Sequence, residues 1–428
     1  MTTYPRELAV KILTRVLSDH QALDLALAEL ANDAPPGARA WLQEVCSGTL
    51  RWKGRLDLAI DSIALKKKPS GWLRKMILLT AYQLVAQDRT PAGRVVSETV
   101  TEVKRREGEA PSRFANALLR KVADHAQDWR SMDVRAKASS IEQAQWASLP
   151  EWLWKKLVKE NGLEEAKAYA QASLDRPSLW IRTKNPEGFP VEDGIWTDGA
   201  PPGSKRLQES AGLGQISEWP GFLEGEFFVQ DVSSQTLVHE ISKEVRAVLG
   251  QGPLRALDLC AAPGGKTAGL AWNGFEVTAS DRDENRYALL RQTVDRVMTN
   301  SSSAGSSGRV QVVPREAVSA LPLQDLVWVD SPCTGTGILR RHPDVRWLRQ
   351  EKELEGLARV QSELLEQAWQ RVRPGGFLAY SVCSVLKEEG SARIESAQLG
   401  GVLIRDWSLL PQNEPYGDGF WATLIRKN

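Results

Sequence analysis

The segment from Arg255 to Leu270 constrains the fold more than any other part of the chain. Arg255 to Leu259 is a short apolar run typical of a buried parallel strand, and Lys266 to Leu270 can begin a helix. Between them, Pro263-Gly264-Gly265 permits a tight turn and lets a ligand approach the backbone closely. A strand, a glycine-rich turn and a helix in this order predict an α/β sheet that binds a ligand at the end of its first strand.

Two common phosphate-binding loops do not fit this turn. A Walker A loop needs a glycine five residues before Gly265, and Cys260 stands there. The dinucleotide pattern G-x-G-x-x-G is also absent, which argues against a dehydrogenase. The doubly wound arrangement that remains carries an acid after its second strand, where the acid holds ribose hydroxyls. Phe275 to Ser280 is the predicted second strand, and Asp281 follows it directly.

Two cysteines are predicted to lie at the same edge of that sheet. Cys333 comes three residues after the predicted strand Leu326 to Asp330, and Cys383 follows the apolar run Gly376 to Val382. The carboxyl ends of neighbouring strands are where open α/β sheets hold their ligands. Both thiols are therefore expected beside the ligand.

These stretches together resemble one family closely, the S-adenosylmethionine-dependent RNA cytosine-5 methyltransferases of the Sun (RsmB) type. The resemblance rests on the turn at 257–267, on Asp330-Ser331-Pro332-Cys333 and on Tyr380-Ser381-Val382-Cys383-Ser384. It implies a Rossmann-like methyltransferase domain with S-adenosylmethionine as cofactor. Glu316 stands near the place where the family often has an aspartate beside the adenine. The residues expected to contact the cofactor are Cys260, Ala261, Ala262, Pro263, Gly264, Gly265, Lys266, Asp281, Glu316 and Asp330.

Cytosine chemistry explains why two cysteines are useful. C5 is a poor nucleophile toward a methyl sulfonium, but addition of a thiolate to C6 makes C5 enamine-like and able to attack. The resemblance implies that Cys383 is this nucleophile, that Cys333 assists release of the product, and that Asp330 hydrogen-bonds the N3 and amino edge of the cytosine. Val382 replaces the threonine that is common before the nucleophile, which removes one hydroxyl from this position.

A basic stretch follows the Pro-Cys motif. The run from Thr334 to Asp344 resembles the glycine loop and Arg-Arg-His-Pro-Asp stretch of the same family. Arg340 and Arg341 are candidate phosphate contacts.

The amino-terminal part is predicted to be all-α. Leu8, Ile12 and Val16 form an apolar stripe at helical spacing, and further amphipathic stretches follow. Segments 46–51 and 113–121 resemble the RNA-binding helical domain of the antitermination factor NusB, which Sun-type ribosomal RNA methyltransferases carry before their catalytic part. The electrostatic footprint of this domain would be two basic clusters, Lys66-Lys67-Lys68 and Lys104-Arg105-Arg106.

Charge and cysteine content suit an intracellular enzyme. The net charge of the 428 residues is only +1, but residues 1–130 carry 21 lysines and arginines against 15 acids. Neither a charged-then-apolar leader nor a long apolar run is found, so we expect a cytoplasmic protein without membrane segments. The four cysteines lack metal-ligand spacing, so no metal is expected, and Cys46 and Cys260 are interpreted as small buried hydrophobes.

The sequence thus predicts three domains. Residues 1–138 form a NusB-like RNA-binding domain, 139–215 a small linking domain that helps to seat RNA, and 216–428 the methyltransferase domain. Within the linking domain, Trp146, Trp152, Trp154 and Trp180 favour core packing over base stacking. A serine-rich stretch at 301–308 is a predicted flexible loop.

The predicted reaction is methylation of C5 of a cytosine in 16S ribosomal RNA through a covalent adduct between cysteine and C6, by a monomeric enzyme. Transfer RNA as the substrate remains an alternative, and so does a non-catalytic RNA-binding or ribosome assembly factor. A binding protein would need neither Cys333 nor Cys383.

Overall fold

The computed structural model describes residues 4–30, 33–35, 37–87, 90–131, 133, 138–185, 187, 189, 195–208, 216–298, 308–413 and 416–428. They form two compact units. The first consists of Met1–Arg176 with Ile338–Glu351, and the second of Pro177–Gly337 with Lys352–Asn428. The predicted boundary at 215 and the serine-rich residues 301–307 lie outside the described residues. The division into three domains stays a prediction.

The helices in chain order are α1 (Pro5–Leu17), α2 (Leu23–Leu30), α3 (Ala38–Ile63), α4 (Gly71–Ala86), α5 (Ala92–Glu107), α6 (Glu109–Asp124), α7 (Ala126–Ser131), α8 (Ser140–Trp146), α9 (Glu151–Asn161), α10 (Leu163–Leu174), α11 (Val232–Leu249), α12 (Gly265–Trp272), α13 (Glu284–Met298), α14 (Val345–Leu348), α15 (Glu353–Arg371) and α16 (Ser391–Ala397). The strands are β1 (Trp180–Thr183), β2 (Trp196–Asp198), β3 (Ser204–Leu207), β4 (Phe227–Val229), β5 (Leu254–Asp258), β6 (Phe275–Ala279), β7 (Val310–Val312), β8 (Gln324–Asp330), β9 (Val372–Val382), β10 (Gly401–Leu409) and β11 (Phe420–Lys427).

The helical unit contains α1 to α10 and α14. Leu8, Ile12 and Val16 of the predicted stripe are at most 1% exposed, so the apolar face of α1 is a core face. They pack with residues of α2, α3 and α4 in one hydrophobic cluster. Trp146 and Trp154 are also buried, as the core-packing interpretation predicted.

Residues 338–351 belong to this helical unit although they are distant from it in sequence. The carboxylate of Asp344 accepts a hydrogen bond from the backbone N–H of Leu23 at 3.1 Å. The indole of Trp347 donates to the carbonyl of Leu50 at 2.9 Å, and Arg346 donates to the carbonyl of Ser148 at 2.9 Å. Side chains of the Arg-Arg-His-Pro-Asp region therefore satisfy backbone groups of the helices.

The second unit is built around a seven-stranded sheet in the order β10-β11-β9-β8-β5-β6-β7. Strands β9, β8, β5, β6 and β7 are parallel, and β11 and β10 add to them in antiparallel orientation. From β5 the chain first runs through β6 and β7 to one side and then returns to β8 on the other. This reversal creates a switch point between β5 and β8, where open sheets bind their ligands.

Hydrophobic patterning explains the middle of this sheet. β8 is buried along nearly its whole length, as expected for a parallel strand covered on both faces.

A separate antiparallel sheet has the order β2-β3-β1-β4. Within the described part of the chain, no helix is both long and apolar enough to cross a membrane.

Candidate functional site

The glycine-rich turn connects β5 to α12 at the switch point. Gly264 has φ of 107°, in the left-handed region that a residue with a side chain rarely adopts, and α12 begins at Gly265. The carboxylate of Asp281, which follows β6, accepts a hydrogen bond from the N–H of Ala262 at 3.1 Å. A hydrogen bond thus joins the two predicted halves of the cofactor site, the turn and the acid.

Arg286 is a residue of this region that the sequence reasoning missed. Its guanidinium lies 3.3 Å from the carboxylate of Asp281 and donates to the carbonyl of Ala262 at 2.9 Å. The available signal was its position in the helix that follows the acid, five residues after Asp281. Arg286 therefore binds both the acid and the turn.

Asp258 is a second group that was not assigned a role. It ends β5 and is fully buried, with one oxygen accepting from the hydroxyl of Thr267 at 2.7 Å. Among the described residues, its other oxygen has no hydrogen-bond partner. Burial raises the pKa of Asp258 to about 7.

The two cysteines meet at the ends of neighbouring parallel strands. β8 and β9 pair with Asp330 opposite Ser381, and the sulfurs of Cys333 and Cys383 are 3.3 Å apart. Cys333 is 9% exposed, whereas Cys383 is more accessible. The hydrogen bond with Cys383, together with burial, raises the pKa of Cys333 well above the usual value for a thiol. Cys333 is therefore a neutral thiol near pH 7.

Asp330 is held in place from two sides. Lys266 donates to one of its oxygens at 2.7 Å, and the hydroxyl of Ser381 donates to the other at 2.7 Å. The indole of Trp328 in turn donates to the oxygen of Ser381 at 3.0 Å. This network links the cofactor turn, through Lys266, to the strand that ends at the cysteines. Val382 lacks the hydroxyl of the threonine that is common at its position, and the neighbouring Ser381 supplies a hydroxyl in the same motif.

The loop after Cys333 is packed tightly against the segment that follows β9. The N–H of Gly337 donates to the carbonyl of Cys383 at 2.9 Å, and the hydroxyls of Thr336 and Ser384 are 2.9 Å apart. A Cβ atom on Gly337 would lie 1.9 Å from the carbonyl oxygen of Gly419, so only glycine fits there. The hydrogen bond from Gly337 thus fixes the carbonyl of the candidate nucleophile, Cys383. The two backbone segments can come this close only because residue 337 is a glycine.

The surroundings of three other predicted site residues, Glu316, Cys260 and Arg340, give less support to contact with a ligand. Glu316 is exposed on a 3-10 helix after β7. Burial raises the pKa of Cys260 to about 12, so this thiol is neutral, in agreement with its interpretation as a small hydrophobe. Arg340 is only 6% exposed, which does not favour the phosphate contact expected of it.

Family models match two parts of the chain. Residues 251–401 match the model described as 16S rRNA methyltransferase RsmB/F, and residues 3–124 match the NusB family. The first match contains the turn, the acid and both cysteines. The second lies within the helical unit.

Relatives match almost the whole chain. The ribosomal RNA small subunit methyltransferase B of Cronobacter sakazakii is 31% identical over 99% of this chain and 98% of its own. The enzyme of the same name from Proteus mirabilis is 29% identical over the same shares.

Solved structures agree on the fold. PH0851 aligns over 100% of both chains with a TM-score of 0.68 and 21% identity. NSun6 from Pyrococcus horikoshii, solved with SFG, aligns over 65% of this chain and 98% of its own with a TM-score of 0.53 and 17% identity.

The predicted family and the predicted fold class, an all-α region followed by a Rossmann-like methyltransferase domain, are both confirmed. Membership also confirms an RNA methyltransferase with S-adenosylmethionine as cofactor. The chain belongs to the family of 16S ribosomal RNA methyltransferases RsmB/F and carries a NusB-family region before its catalytic part.

Proposed function

We propose that this protein methylates C5 of a cytosine in 16S ribosomal RNA through a covalent adduct between Cys383 and C6. One observation carries the proposal, namely that the sulfurs of Cys383 and Cys333 are 3.3 Å apart at the ends of adjacent parallel strands. A protein that only binds RNA has no use for two thiols in contact at the ligand-binding edge of a sheet.

The turn and its acid suit S-adenosylmethionine. Gly264 keeps backbone groups accessible to the methionine part, and the carboxylate of Asp281 is a suitable acceptor for ribose hydroxyls. Residues Cys260 to Lys266 would line the cofactor, and Glu316 would lie toward the adenine. S-adenosylmethionine supplies the methyl group as an electrophilic sulfonium.

Attack begins when the thiol of Cys383 gives its proton to water and becomes a thiolate. Its sulfur forms a bond to C6, and the electrons of the C5–C6 double bond make C5 nucleophilic. C5 then forms a bond to the methyl carbon as the bond between that carbon and the sulfonium sulfur breaks. Asp330, fixed by Lys266 and Ser381, faces the N3 and amino edge of the cytosine during attack and accepts a hydrogen bond from the amino group.

Release of the methylated cytosine reverses the addition of Cys383 to C6. The C5 proton leaves to water, the C5–C6 double bond forms again, and the bond between C6 and the sulfur of Cys383 breaks. Cys333, a neutral thiol in contact with that sulfur, gives its proton to the departing thiolate and is reprotonated from water. The different surroundings of the two cysteines thus support different roles.

The domain content favours ribosomal RNA over transfer RNA, because a NusB-family region precedes the catalytic part. The named relatives act on the small subunit. A cytoplasmic monomer that captures RNA with its helical part fits this function.

Removal of Cys383 should stop the attack on C6, whereas removal of Cys333 should stop release of the product. This difference provides the test. Cys383→Ala should form no adduct, whereas Cys333→Ala should methylate once and remain attached to its RNA. Labelled, unmodified 16S ribosomal RNA on a denaturing gel should then give a retarded band with Cys333→Ala and none with Cys383→Ala. Cys46→Ala, in the buried core of the helical unit, is the matched control and should turn over.

Other outcomes have clear meanings. The reverse pattern of bands would exchange the roles of the two cysteines. Full turnover by both variants would overturn the covalent mechanism, and retarded bands with unmodified transfer RNA alone would overturn the choice of substrate.

A further inference from the structure

Glu389 is a buried carboxylate that the mechanism above does not use. It is 1% exposed, and its carboxylate accepts hydrogen bonds from both the N–H and the hydroxyl of Thr334, the first of them at 2.8 Å. Thr334 is the residue directly after Cys333. Burying a carboxylate among neutral donors is costly, so a buried acid in contact with the residue beside a reactive thiol calls for an explanation.

Gln361 of α15 completes the arrangement on the other side of Cys333. Its amide nitrogen donates to the carbonyl of Pro332 at 3.0 Å and to the carboxylate of Glu389 at 3.3 Å. Gln361 is fully buried. The peptide groups before and after Cys333 are therefore held by two side chains that also bind each other.

The same pair is tied to the strand that ends at the nucleophile. The hydroxyl of Tyr380, three residues before Cys383 in the chain, donates to the backbone carbonyl of Glu389 at 2.8 Å. Glu389 thus connects the segment that carries Cys333 to the strand that leads to Cys383. Because the sulfurs must stay in contact for a proton to pass between them, a shift of either segment would interrupt the transfer.

We propose that Glu389 and Gln361 are positioning residues that hold the backbone around Cys333 so that its thiol remains in contact with the sulfur of Cys383. The proposal rests on the covalent function described above and assigns the release step, rather than the attack, to this pair. The carboxylate works through its placement as a hydrogen-bond acceptor.

Placement and charge can be separated by substitution. Glu389→Gln keeps an oxygen that accepts from Thr334 and Gln361, so it should release product like the unchanged enzyme. Glu389→Ala removes every acceptor. It should transfer the first methyl group at a nearly normal rate, and its later turnovers should be slower by about 100-fold. Glu395→Gln, an exposed acid six residues further along, is the matched control.

The measurement is a time course of labelled methyl transfer from S-adenosylmethionine to unmodified 16S ribosomal RNA, with the full-length protein at known concentration. Glu389→Ala should show a burst of one methyl per enzyme followed by a slow phase, together with the retarded band that Cys333→Ala gives on a denaturing gel. A general loss of structure would lower the burst as well.

The possible results are distinct. Normal steady-state turnover by Glu389→Ala overturns the positioning role, and accumulation of adduct by Glu389→Gln shows that charge rather than placement matters and overturns it too. If Glu389→Ala no longer binds S-adenosylhomocysteine, Gln361→Ala decides by the same burst criterion, because it frees the carbonyl of Pro332 but leaves both hydrogen bonds from Thr334 to Glu389. If Cys333→Ala and Cys383→Ala both turn over without an adduct, the proposed covalent function fails, irrespective of Glu389.

Discussion

Among the described residues, the helical unit buries a cation whose three guanidinium nitrogens all donate hydrogen bonds, whereas the sheet unit buries an acid with one oxygen that accepts none. Arg55 of α3 is 0% exposed, and it donates to the carbonyls of Trp146 and Arg130, both at 3.1 Å, and to the side chain of Gln171 at 3.3 Å. Asp258 at the end of β5 is equally buried, but one of its oxygens lacks a hydrogen-bond partner among the described residues.

This difference distinguishes Arg55, which belongs to the scaffold, from Asp258, which lies at the candidate site. A buried charged group whose donors all bind backbone or side-chain oxygens contributes to stability and leaves nothing for a ligand. A buried carboxylate with one open oxygen at the carboxyl edge of a sheet is costly for the free protein and available to a partner. Four predictions can sharpen or break this contrast.

The largest effect is expected for Arg55→Met. The substitution keeps an apolar stem but removes the hydrogen bonds that Arg55 donates to the carbonyls of Trp146 and Arg130, and it removes the contact of the guanidinium with the ring of Trp52. The free energy of unfolding should fall by about 3 to 5 kcal/mol, as when one partner of a buried polar set is removed. Chemical denaturation monitored by circular dichroism measures it.

Arg15→Met is the control for that loss. Arg15 is half exposed, and its nitrogen lies 3.7 Å from the carboxylate of Asp19, so its removal should change stability by less than about 0.5 kcal/mol. Equal losses for Arg15 and Arg55 would contradict the scaffold role of Arg55.

A pH-dependent effect is expected for Asp258→Asn. Because the pKa of Asp258 is about 7 in the folded protein, against an ordinary value of 3.8, the folded protein binds the proton more tightly than the unfolded chain. This stabilisation is fully present below about pH 4 and is lost as the pH rises through 7. The asparagine side chain does not ionise, so the variant should gain stability relative to the unchanged protein as the pH rises from 5 to 8.

The size of the pKa shift of Asp258 limits the gain in the free energy of unfolding of Asp258→Asn to on the order of 1 to 4 kcal/mol. Urea unfolding at several pH values, in the absence of cofactor, measures the difference between the two proteins. If the two stability curves run parallel from pH 5 to pH 8, burial does not perturb Asp258, and the sheet edge loses its contrast with the helical unit.

A smaller effect is expected for Asp281→Ala at the cofactor turn. The carboxylate holds the N–H of Ala262 and is the proposed acceptor for ribose hydroxyls, so its loss should weaken binding of S-adenosylhomocysteine by about 10-fold. Arg286→Met, which removes the donor to the carbonyl of Ala262 and the ion pair with Asp281 but keeps the carboxylate of Asp281, should have a weaker effect. Calorimetric titration gives both affinities. An unchanged affinity in Asp281→Ala would exclude Asp281 from the site.

The sequence predicted those features of the site that local pattern determines. Apolar runs bounded by glycine, acid or cysteine placed the carboxyl ends of β5, β6, β8 and β9 within one residue of the structure, and these ends precede the cofactor turn and both cysteines. The predicted starts of β8 and β9 were two and four residues too late, at Leu326 and Gly376. The order of parallel strands then brought the motifs to one edge.

Partners between distant side chains could not be predicted in the same way. Lys266 and Asp330 were both named as site residues, but their 2.7 Å contact joins positions 64 apart. Glu389 and Thr334 are 55 apart, and Asp344 and Leu23 are 321 apart. Such bonds depend on how whole elements pack, and a hydrophobic period carries no information about them.

The smallest effect distinguishes the two basic clusters on the helical unit. Lys66 and Lys67 are exposed. In the other cluster, Arg105 and Arg106 each bind the carboxylate of Glu7 at 2.9 Å, and Lys104 pairs with Glu109. Lys68, beside Lys66 and Lys67, also pairs with an acid, Asp61, at 2.9 Å. Cations already paired with acids release fewer counterions when they meet a phosphate backbone, so Lys66 and Lys67 should contribute more to RNA binding than Arg105 and Arg106.

Substituting Lys66 and Lys67 with alanine should lower the slope of log affinity against log salt by about 1 to 2, and substituting Arg105 and Arg106 should lower it less. Binding isotherms with 16S ribosomal RNA at several salt concentrations give the slopes. Point substitutions are preferable to deletion of residues 1–130, because residues 338–351 belong to the same compact unit and would lose their hydrogen-bond partners. A larger change for the Arg105 and Arg106 pair would show that ion pairing within the protein does not decide which cations of the helical unit meet RNA.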